Sequence, residues 1–451
     1  MHLHFIAIGG SAMHNLAMAL HEKGEHITGS DDEIFEPSKS RLKAKGLLPD
    51  EFGWFPENIT TGIDVIILGM HAKADNPELL KAKELGLKIY SYPEYLYEHS
   101  KGKTRVVIGG SHGKTTITAM VLHVMHYHDK AVDFMVGAQL DGFDTMVHLT
   151  DENDFILLEG DEYLSSAIDP RPKFHLYQPN IALLSGIAWD HINVFPSFQN
   201  YVEQFEIFLD TMTNGSTLVY NEEDDILSQL ALNAKQPTRK HAYSTPEHSI
   251  EDGVTFLETA EGPMPVEVFG EHNLQNIAGA KWICQHMGVD EDDFYEAISD
   301  FSGASKRLEQ IAETDKALVF KDYAHSPSKV IATTTAVKTQ FPSKILMACL
   351  ELHTYSSLNA DFLKEYNEAL NAADEAVVFF SPKALEIKQL EAITEDQIFE
   401  AFGRKVLKVF TDPKAFKAFL KSKTYIDHVL LLMSSGNYGG LDFEEIKNWI
   451  Q

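Results

Sequence analysis

The sequence predicts an α/β fold built on parallel β-sheets. Short, continuous apolar runs of strand length alternate along the chain with longer stretches in which apolar residues have helical spacing. Strands of this kind are buried on both faces, which is typical of a parallel, doubly wound sheet. The chain also shows three blocks, each opening with a strand and a glycine turn. Its 451 residues predict two to four domains, because one core rarely grows beyond about 250–300 residues.

The first block opens with an apolar strand at residues 4–8, which runs into Gly9 and Gly10. Residues 11–23 carry apolar side chains at helical spacing, so a helix should follow the glycine turn. A second buried strand is predicted at residues 64–69. This order of elements predicts a parallel sheet at the start of the chain.

A polar stretch at residues 98–104 predicts a linker to the second block. That block begins with a strand at residues 104–108, continues through the sequence GGSHGKTT and enters a helix over residues 117–128. The third block begins near Ser302. The strands predicted after the glycine-rich sequence are residues 155–159, 181–185, 217–220, 317–320, 345–350, 375–380 and 429–433.

Composition narrows the class of protein. The formal net charge of −29 argues against binding nucleic acid or an anionic membrane, because both need a positive surface field. Cys284 and Cys349 lie in apolar surroundings, which predicts buried free thiols. The apolar N-terminus has no basic region or cleavage site, and no apolar run approaches about 18 residues, so we expect a cytoplasmic protein without a membrane span.

The sequence GGSHGKTT, between a strand and a helix, is typical of a phosphate-binding loop. Backbone N–H groups of such a turn point at phosphate oxygens, and the helix dipole favours their charge. Lys114 would reach the β- and γ-phosphates, and the Thr115 hydroxyl would bind Mg²⁺. The spacing differs from the common G-x-x-x-x-G-K-[ST] loop, because Ile108 stands where its first glycine belongs and Gly110 is only three residues before Gly113. We therefore expect a tighter loop.

Acidic and imidazole side chains follow the next strands. Glu159 ends one predicted strand, where a carboxylate beside a phosphate loop can hold a metal ion. Asp161 and Glu162 would either support the residues that bind the metal ion or lie in solvent. His191 follows another strand and could bind a second cation through neutral imidazole. The sequence GEHNLQN at residues 270–276 opens a helix with amide side chains that can address an adenine edge.

The opening glycine turn predicts a second nucleotide site. Gly9, Gly10 and Ser11 begin a helix, and Asp31 follows the second strand, as in folds that bind a pyrophosphate and a ribose hydroxyl. Because the spacing is not G-x-G-x-x-G, an NAD site is weakly supported, and a nucleotide-sugar diphosphate satisfies the same physics. Two other classes of protein share some of these features, but an NAD-linked oxidoreductase leaves GGSHGKTT unexplained, and a non-catalytic nucleotide-binding regulator needs no acid or histidine at the strand ends.

Taken together, these motifs resemble the Mur ligase family, which builds the peptide of bacterial cell-wall precursors. The similar segments occur in order through nearly the whole chain. They are HFIAIGGSAM at residues 4–13, TGSD at 28–31, GGSHGKTT at 109–116, LEGDEY at 158–163, WDHINVF at 189–195, GEHNLQN at 270–276, SKRLE at 305–309 and KDYAHSP at 321–327.

The resemblance implies three domains: a Rossmann-like UDP-sugar domain over residues 1–103, a central P-loop domain with a parallel sheet over 104–302, and a Rossmann-like domain over 303–451 that closes over the site. It also implies an ATP-dependent ligase that forms an amide through an acyl phosphate, with Mg²⁺ or Mn²⁺. The partners implied are UDP-N-acetylmuramate and an amino acid or tripeptide.

The resemblance also assigns residue roles. The catalytic group is Lys114, Glu159, His191 and Arg307, and the metal ligands are Thr115, Glu159 and His191. The ATP-binding group is Gly110, Ser111, His112, Gly113, Lys114, Thr115, Thr116, Asn273, Asn276, Arg307 and Asp322. The substrate group is Gly10, Ser11, Asp31, His71, His325 and His353.

One departure from the family narrows the substrate. Many Mur ligases have a carbamylated lysine after the Asp-His motif, but residues 195–209 contain no lysine and Phe205 takes the matching position. This resembles the branches that act directly on UDP-N-acetylmuramate, adding either L-alanine or a whole tripeptide. Residues 161–163, 172–174 and 435–440 resemble the tripeptide ligase, whereas residues 350–355, which include His353, resemble the alanine ligase.

Overall fold

The computed structural model describes residues 1–140, 143, 145–236, 238–304, 307–404 and 406–450. It confirms the predicted α/β class, with sheets that are mostly parallel. The chain forms two compact units. The first comprises Met1–Ile187, Val202–Tyr243 and Gly279–Phe294, and the second comprises Ala188–Tyr201, Ser244–Ala278 and Tyr295–Gln451. The predicted domain limits, at 103/104 and 302/303, stay predictions.

The first hundred residues form a parallel sheet with strand order β2–β1–β3–β4. The apolar runs of β1 and β3 are buried, which is what drives them into the centre of the sheet. The elements are β1 (His2–Ile6), α1 (Ser11–Glu22), β2 (His26–Ser30), α2 (Ser38–Ala44), β3 (Val65–Leu68), α3 (Pro77–Glu84), β4 (Lys88–Ser91) and α4 (Tyr92–Ser100).

Two predicted boundaries in this stretch are wrong. The first strand ends at Ile6, not at residue 8, because Ala7 adopts a left-handed φ of 68° and the N–H groups of Ala7 and Ile8 both donate to Ser30 O. The predicted linker is shorter than residues 98–104, because α4 continues to Ser100. A capping box between Ser91 and Glu94 starts that helix.

The middle stretch forms the second sheet, in the order β13–β12–β11–β5–β8–β6–β7, in which β6–β7 is the antiparallel pair. The strands and helices along this stretch of chain, including those outside the second sheet, are β5 (Thr104–Gly109), α5 (Lys114–Tyr127), β6 (Asp133–Met135), β7 (Val147–His148), β8 (Phe155–Glu159), β9 (Leu164–Ser166), β10 (Asp169–Pro172), β11 (Ile181–Leu184), α6 (Phe198–Thr211), β12 (Thr217–Asn221), α7 (Asp225–Asn233), β13 (Arg239–Tyr243), β14 (His248–Glu251), β15 (Val254–Thr259), β16 (Gly262–Val266), α8 (Glu271–His286) and α9 (Glu291–Ile298).

Strand pairing in this sheet brings two predicted site segments together. β5 and β8 are parallel neighbours, with Ile108 in register with Glu159. The carboxyl end of β5 leads into the glycine-rich loop, so this loop and Glu159 share one sheet edge. The helix after the loop begins at Lys114, three residues earlier than predicted, and therefore includes Lys114 and Thr115 in its first turn.

The second unit contains an antiparallel sheet of β14, β15 and β16 and a largely parallel sheet with strand order β17–β18–β22–β19–β20–β21. Of the latter, β17 is antiparallel to β18. The remaining elements are β17 (Glu309–Glu313), β18 (Ala317–Asp322), α10 (Pro327–Gln340), β19 (Ile345–Leu352), β20 (Glu375–Phe380), α11 (Pro382–Ile387), α12 (Glu395–Phe402), β21 (Lys408–Phe410), α13 (Pro413–Ser422), β22 (His428–Met433) and α14 (Phe443–Ile446).

Cys284 and Cys349 are buried free thiols, as predicted, and burial raises the pKa of each. Across the part of the chain that the structure describes, no helix has both the length and the apolar character needed to cross a bilayer. Of the predicted motif at residues 305–309, Ser305 and Lys306 lie outside the described residues.

Candidate active site

The glycine-rich loop closes tightly on the end of β11. Gly110 has a φ of +126°, and a Cβ there would lie 2.1 Å from Ser185 Oγ. Gly113 caps α5 in the left-handed region, with a φ of 75°. The N–H of Ser111 donates to Gly186 O at 2.9 Å. Glycine at position 110 is thus favoured by both the backbone conformation and the space available, and glycine at position 113 by the backbone conformation.

Lys114 is the first residue of α5, and its side chain returns toward the loop. Its Nζ donates to Gly110 O at 2.6 Å and to Glu162 Oε2 at 2.6 Å. Both side chains of the ion pair are nearly buried, with 14% and 2% exposed. Burial lowers the pKa of Lys114, but attraction to Glu162 and Asp161 outweighs it and raises the pKa overall. The loop therefore holds a charged ammonium at its centre.

Thr115 and Glu159 bring oxygen atoms to one point beside Lys114. Thr115 Oγ1 donates to Glu159 Oε1 at 2.9 Å, and the N–H of Gly137 donates to Glu159 Oε2 at 2.8 Å. A Cβ on Gly137 would lie 2.7 Å from that carboxylate, so the approach needs glycine. A hydroxyl and a carboxylate are hard oxygen donors, the chemistry that Mg²⁺ or Mn²⁺ prefers, so the residues present fit a divalent cation.

The rest of the loop is packed around this pair. Ser111, Thr115 and Thr116 are buried. The backbone oxygen of His112 accepts a hydrogen bond from Ser185 Oγ. The structure thus brings together the predicted ATP-binding residues of the loop, residues 110–116, with Glu159.

Of the two positions predicted for Asp161 and Glu162, the solvated one is wrong for Glu162. Glu162 is 2% exposed and pairs with Lys114, and the partly exposed Asp161 pairs with Lys173. Burial raises the pKa of Asp161, but Lys173 and Lys114 outweigh it and hold the pKa well below the ordinary value. Sequence reasoning missed Lys173 as a neighbour of the loop. The lysine stands 12 residues after its partner, so only the fold reveals the pair.

The opening glycine turn gathers its predicted residues as well. The N–H of Gly9 donates to Asp31 Oδ2 at 2.7 Å, and His71 Nε2 lies 3.0 Å from Asp31 Oδ1. Gly10 caps α1, and Ser11 is the exposed first residue of that helix. The hydrogen bond to Asp31 raises the pKa of His71, against a smaller opposing effect of burial. Asp31 therefore links the turn to the histidine that follows β3.

In the second unit, His191 adopts a left-handed φ of 55°, and its N–H donates to Asp190 Oδ1 at 2.7 Å. The buried Asp190 also lies 3.7 Å from Lys329 Nζ and 3.9 Å from His325 Nε2. Burial and the nearby Lys329 lower the pKa of His325 to about 4. His325 is therefore neutral at neutral pH and does not form an ion pair with Asp190.

The amide side chains of GEHNLQN open α8 and are partly used within it. Asn273 Nδ2 donates to Phe269 O at 3.0 Å, and Asn276 Nδ2 lies 3.4 Å from Asn273 Oδ1. Both residues are buried. Their contact with adenine stays a prediction.

Asp322 ends β18 and holds the segment that begins the last domain. Its carboxylate accepts the N–H of Leu308 at 2.6 Å and the N–H of Ala324 at 2.6 Å. The guanidinium of Arg307 lies 4.7 Å from the ring centre of Tyr323. Asp322 therefore fixes the backbone next to Arg307, a role that the sequence did not predict.

His353 lies beside a buried acid at the end of β19. Its Nδ1 is 3.8 Å from Glu351 Oε1, and the imidazole is 43% exposed. Glu351 accepts hydrogen bonds from Ser434 Oγ and from the N–H of Tyr438. This places the glycine-rich segment 435–440 against the predicted substrate histidine.

Phe205 lies in α6. It is fully buried, and its ring meets that of Phe174 edge-on at 5.5 Å between centroids. Phe174 also stacks on Phe208 at 4.6 Å. A charged carbamate is costly to bury against aromatic rings, so the packing of Phe205 agrees with the absence of a lysine at this position.

Comparison with known proteins agrees with this architecture. Three family models match consecutive parts of the chain: the Mur ligase family catalytic domain at residues 2–104, the Mur ligase middle domain at 108–284 and the Mur ligase glutamate ligase domain at 306–436.

Relatives match along most of their length. A UDP-N-acetylmuramate–L-alanine ligase of Limosilactobacillus reuteri is 30% identical over 83% of this chain and 84% of its own. The UDP-N-acetylmuramate–L-alanyl-gamma-D-glutamyl-meso-2,6-diaminoheptandioate ligase of Haemophilus influenzae is 28% identical over 98% of this chain and 97% of its own. The crystal structure of a UDP-N-acetylmuramate-alanine ligase from Thermotoga maritima matches with a TM-score of 0.70 and 21% identity, covering 100% of this chain and 98% of that one.

The fold and these matches define an ATP-dependent ligase that forms a C–N bond between an acid and an amine and releases ADP. The chain belongs to the Mur ligase family, whose members act in peptidoglycan synthesis. The family, the fold class and the enzyme class predicted from the sequence are confirmed.

Proposed function

We propose that the enzyme joins the lactyl carboxylate of UDP-N-acetylmuramate to the amine of the tripeptide L-Ala-γ-D-Glu-meso-diaminopimelate. The observation that carries the reaction type is the meeting of Lys114, Thr115 and Glu159 at one sheet edge. An ammonium, a hydroxyl and a carboxylate at the end of a strand–loop–helix unit suit a metal-bound triphosphate.

The phosphate loop, residues 110–116, binds ATP, and its backbone N–H groups and Lys114 hold the phosphates. Thr115 and Glu159 would hold one divalent cation, Mg²⁺ or Mn²⁺, and His191 would hold a second. A bound cation neutralises charge that develops on the transferred phosphoryl group. Asn273 and Asn276 address adenine, and Arg307 and Asp322 act from the last domain.

The lactyl carboxylate oxygen attacks the γ-phosphorus of ATP, and the bond to the bridging oxygen breaks to release ADP. The amine nitrogen then attacks the acyl carbon, the tetrahedral intermediate expels phosphate, and the nitrogen loses its proton. Lys114 and Arg307 stabilise the charge in the first step, where positioning and electrostatics dominate catalysis. Water must be kept out, because it would hydrolyse the acyl phosphate.

The first domain binds the uridine diphosphate part of the substrate. Gly10 and Ser11 offer a helix N-terminus to phosphate oxygens, and Asp31 and His71 lie at the neighbouring strand ends. His325 and His353 complete the substrate group from the last domain. The substrates are small molecules, and we place the reaction in the cytoplasm.

The amine substrate has two candidates. The tripeptide is supported by residues 161–163, 172–174 and 435–440 and by the match over nearly the full length of the Haemophilus influenzae ligase. L-alanine is supported by residues 350–355, which include His353, and by the 30% identity to the Limosilactobacillus reuteri ligase. The absence of lysine at residues 195–209 agrees with both.

An assay of ADP release separates these candidates. Purified enzyme receives ATP, magnesium and UDP-N-acetylmuramate with either L-alanine or the tripeptide, and kcat/KM is measured for each. We expect the tripeptide value to exceed the alanine value by at least about tenfold, the lower end of what even a small difference between two substrates is worth in kcat/KM. A larger alanine value would assign the alanine ligase activity instead. ADP release that needs neither amine would contradict both.

A further inference from the structure

Two lysines and two consecutive acids form a charged network beside the phosphate loop. Glu162 pairs with Lys114 at 2.6 Å, and Asp161 pairs with Lys173. The segment that carries Lys173 is joined to the acidic turn through its backbone, because the N–H of Lys173 donates to Tyr163 O at 2.9 Å. The position of one ion pair is therefore tied to the position of the other.

Lys173 is not a solvated surface lysine. Its side chain is 14% exposed, and its Nζ lies 5.7 Å from the ring centre of Tyr92 and 5.8 Å from that of Tyr163. Tyr92 is itself buried at the start of α4. Two aromatic faces and one carboxylate thus fix the ammonium, and ordering such a long side chain costs entropy that only a specific role or good packing offsets.

The charges explain what Lys173 does for the loop. Asp161 attracts Lys114 as well as Lys173, and Glu162 already binds Lys114. Removing the charge of Lys173 would leave Asp161 to attract Lys114 more strongly. The ammonium of the loop would then be held by two acids, and a triphosphate would have to compete with both of them.

We propose that Lys173 is a positioning residue of the phosphate loop, which neutralises Asp161 and so keeps the Lys114 ammonium available to the triphosphate. The proposal rests on the proposed function, because it takes Lys114 as the phosphate-binding group. Lys173 itself need not touch ATP.

The test compares Lys173→Met with Lys173→Arg and with the double variant Lys173→Met/Asp161→Asn. We expect Lys173→Met to raise the KM for ATP roughly threefold to tenfold, the range typical of coupling between neighbouring charges, and to leave the KM for the amine unchanged. Lys173→Arg should restore the KM for ATP, since it keeps the charge. The double variant should also restore it, because the attracting acid is gone.

Lys103→Met is the matched control. Lys103 is equally buried and pairs with the buried Asp133 at 3.0 Å, but it lies before β5, at the opposite end of the strand from the loop. That variant should lower the Tm without changing the KM for ATP. If Lys173 had only a structural role, Lys173→Met would likewise lower the Tm and leave the KM for ATP unchanged.

The proposal is overturned if Lys173→Met leaves the KM for ATP unchanged or if the double variant is no better than the single one. If Lys173→Met does not fold, Asp161→Asn alone decides, because its amide oxygen can keep the hydrogen bond from the Tyr163 N–H. That variant should not raise the KM for ATP, and a rise above about threefold contradicts the proposal. Lys114→Ala distinguishes failure of this proposal from failure of the proposed function, because near-normal turnover of that variant would refute the proposed function itself.

Discussion

Both glycine-rich turns of the first unit join a buried parallel strand to the first residue of a helix, yet they gather opposite charges. After β1, the N–H of Gly9 is bound by the carboxylate of Asp31. After β5, the loop surrounds the ammonium of Lys114. Neither helix begins with a side-chain cap, so both leave backbone N–H groups at their N-termini.

This difference shows that the backbone of such a turn does not decide its ligand. Asp31, which follows β2, can accept hydrogen bonds from hydroxyl groups such as those of a ribose. Its negative charge also weakens the electrostatic attraction of the first turn for phosphates. A lysine inside the second turn suits a triphosphate, which carries more negative charge than a diphosphate ester. Neighbouring side chains therefore adapt one architecture to two nucleotides.

The largest expected effect is the loss of turnover when Lys114 is replaced. Replacing it by alanine removes the one positive side chain that this loop contributes, so turnover should fall roughly 10²-fold or more, the scale for losing one preorganised charged donor. Steady-state ADP release measures this, with a melting curve to show that the variant is folded. Near-normal turnover of the Lys114→Ala variant would show that the lysine does not adapt the second turn to a triphosphate.

The two turns should also differ in their tolerance of a methyl group. Gly110→Ala forces a φ of +126° on a non-glycine residue and places Cβ 2.1 Å from Ser185 Oγ. Gly10 has a φ of −58°, and the nearest atom to its Cβ would be 3.4 Å away. We expect Gly110→Ala to cost about 1–3 kcal/mol of unfolding free energy, and Gly10→Ala to cost much less. Urea unfolding tests both, and equal losses would contradict the steric argument.

Of the two turns, only the second is proposed to bind a metal ion, and His191 is one of the residues proposed to act with it. His191→Ala should raise the magnesium concentration at half-maximal activity by roughly tenfold, the lower end of what loss of a supporting metal contact costs. The variant should remain folded, as judged by its Tm. An unchanged magnesium titration would exclude His191 from the metal site.

The smallest effect belongs to the first turn. Asp31→Asn should lower the pKa of His71, because the hydrogen bond to Asp31 is what raises it. In the native chain, protonated His71 stabilises the fold fully below the unfolded pKa of about 6.5, and this is lost as pH rises through the higher folded pKa. The imidazole is half exposed, so screening keeps the effect on stability small. An NMR titration of His71 that is identical in both proteins would contradict this.

Much of the fold could be predicted from the sequence because its central strands are continuous apolar runs. β8 and β20 begin and end at the predicted residues. The antiparallel strands β14 to β16 were not predicted, since their exposed faces carry polar residues and their hydrophobic signal is weak. The early end of β1 at Ile6 depends on the hydrogen bonds that Ala7 and Ile8 donate to Ser30 O, which no local pattern encodes.

The candidate site was predictable where a motif lies on adjacent strands. Lys114, Thr115 and Glu159 meet because β5 and β8 are parallel neighbours, and that follows from strand order. Asp161 pairs with Lys173, and Asp322 binds the backbone of Leu308, because of side-chain directions in a loop and at a strand end. Such contacts depend on tertiary packing, so no periodic pattern in the sequence predicts them.

The aromatic packing of Phe205 has a consequence for how the enzyme responds to its surroundings. Family members that rely on a carbamylated lysine need dissolved carbon dioxide to form the modified side chain. At this position the chain has a buried phenylalanine, whose ring packs edge-on against that of Phe174. Its turnover should therefore be indifferent to bicarbonate supplied or removed, and the enzyme would keep working in degassed buffer.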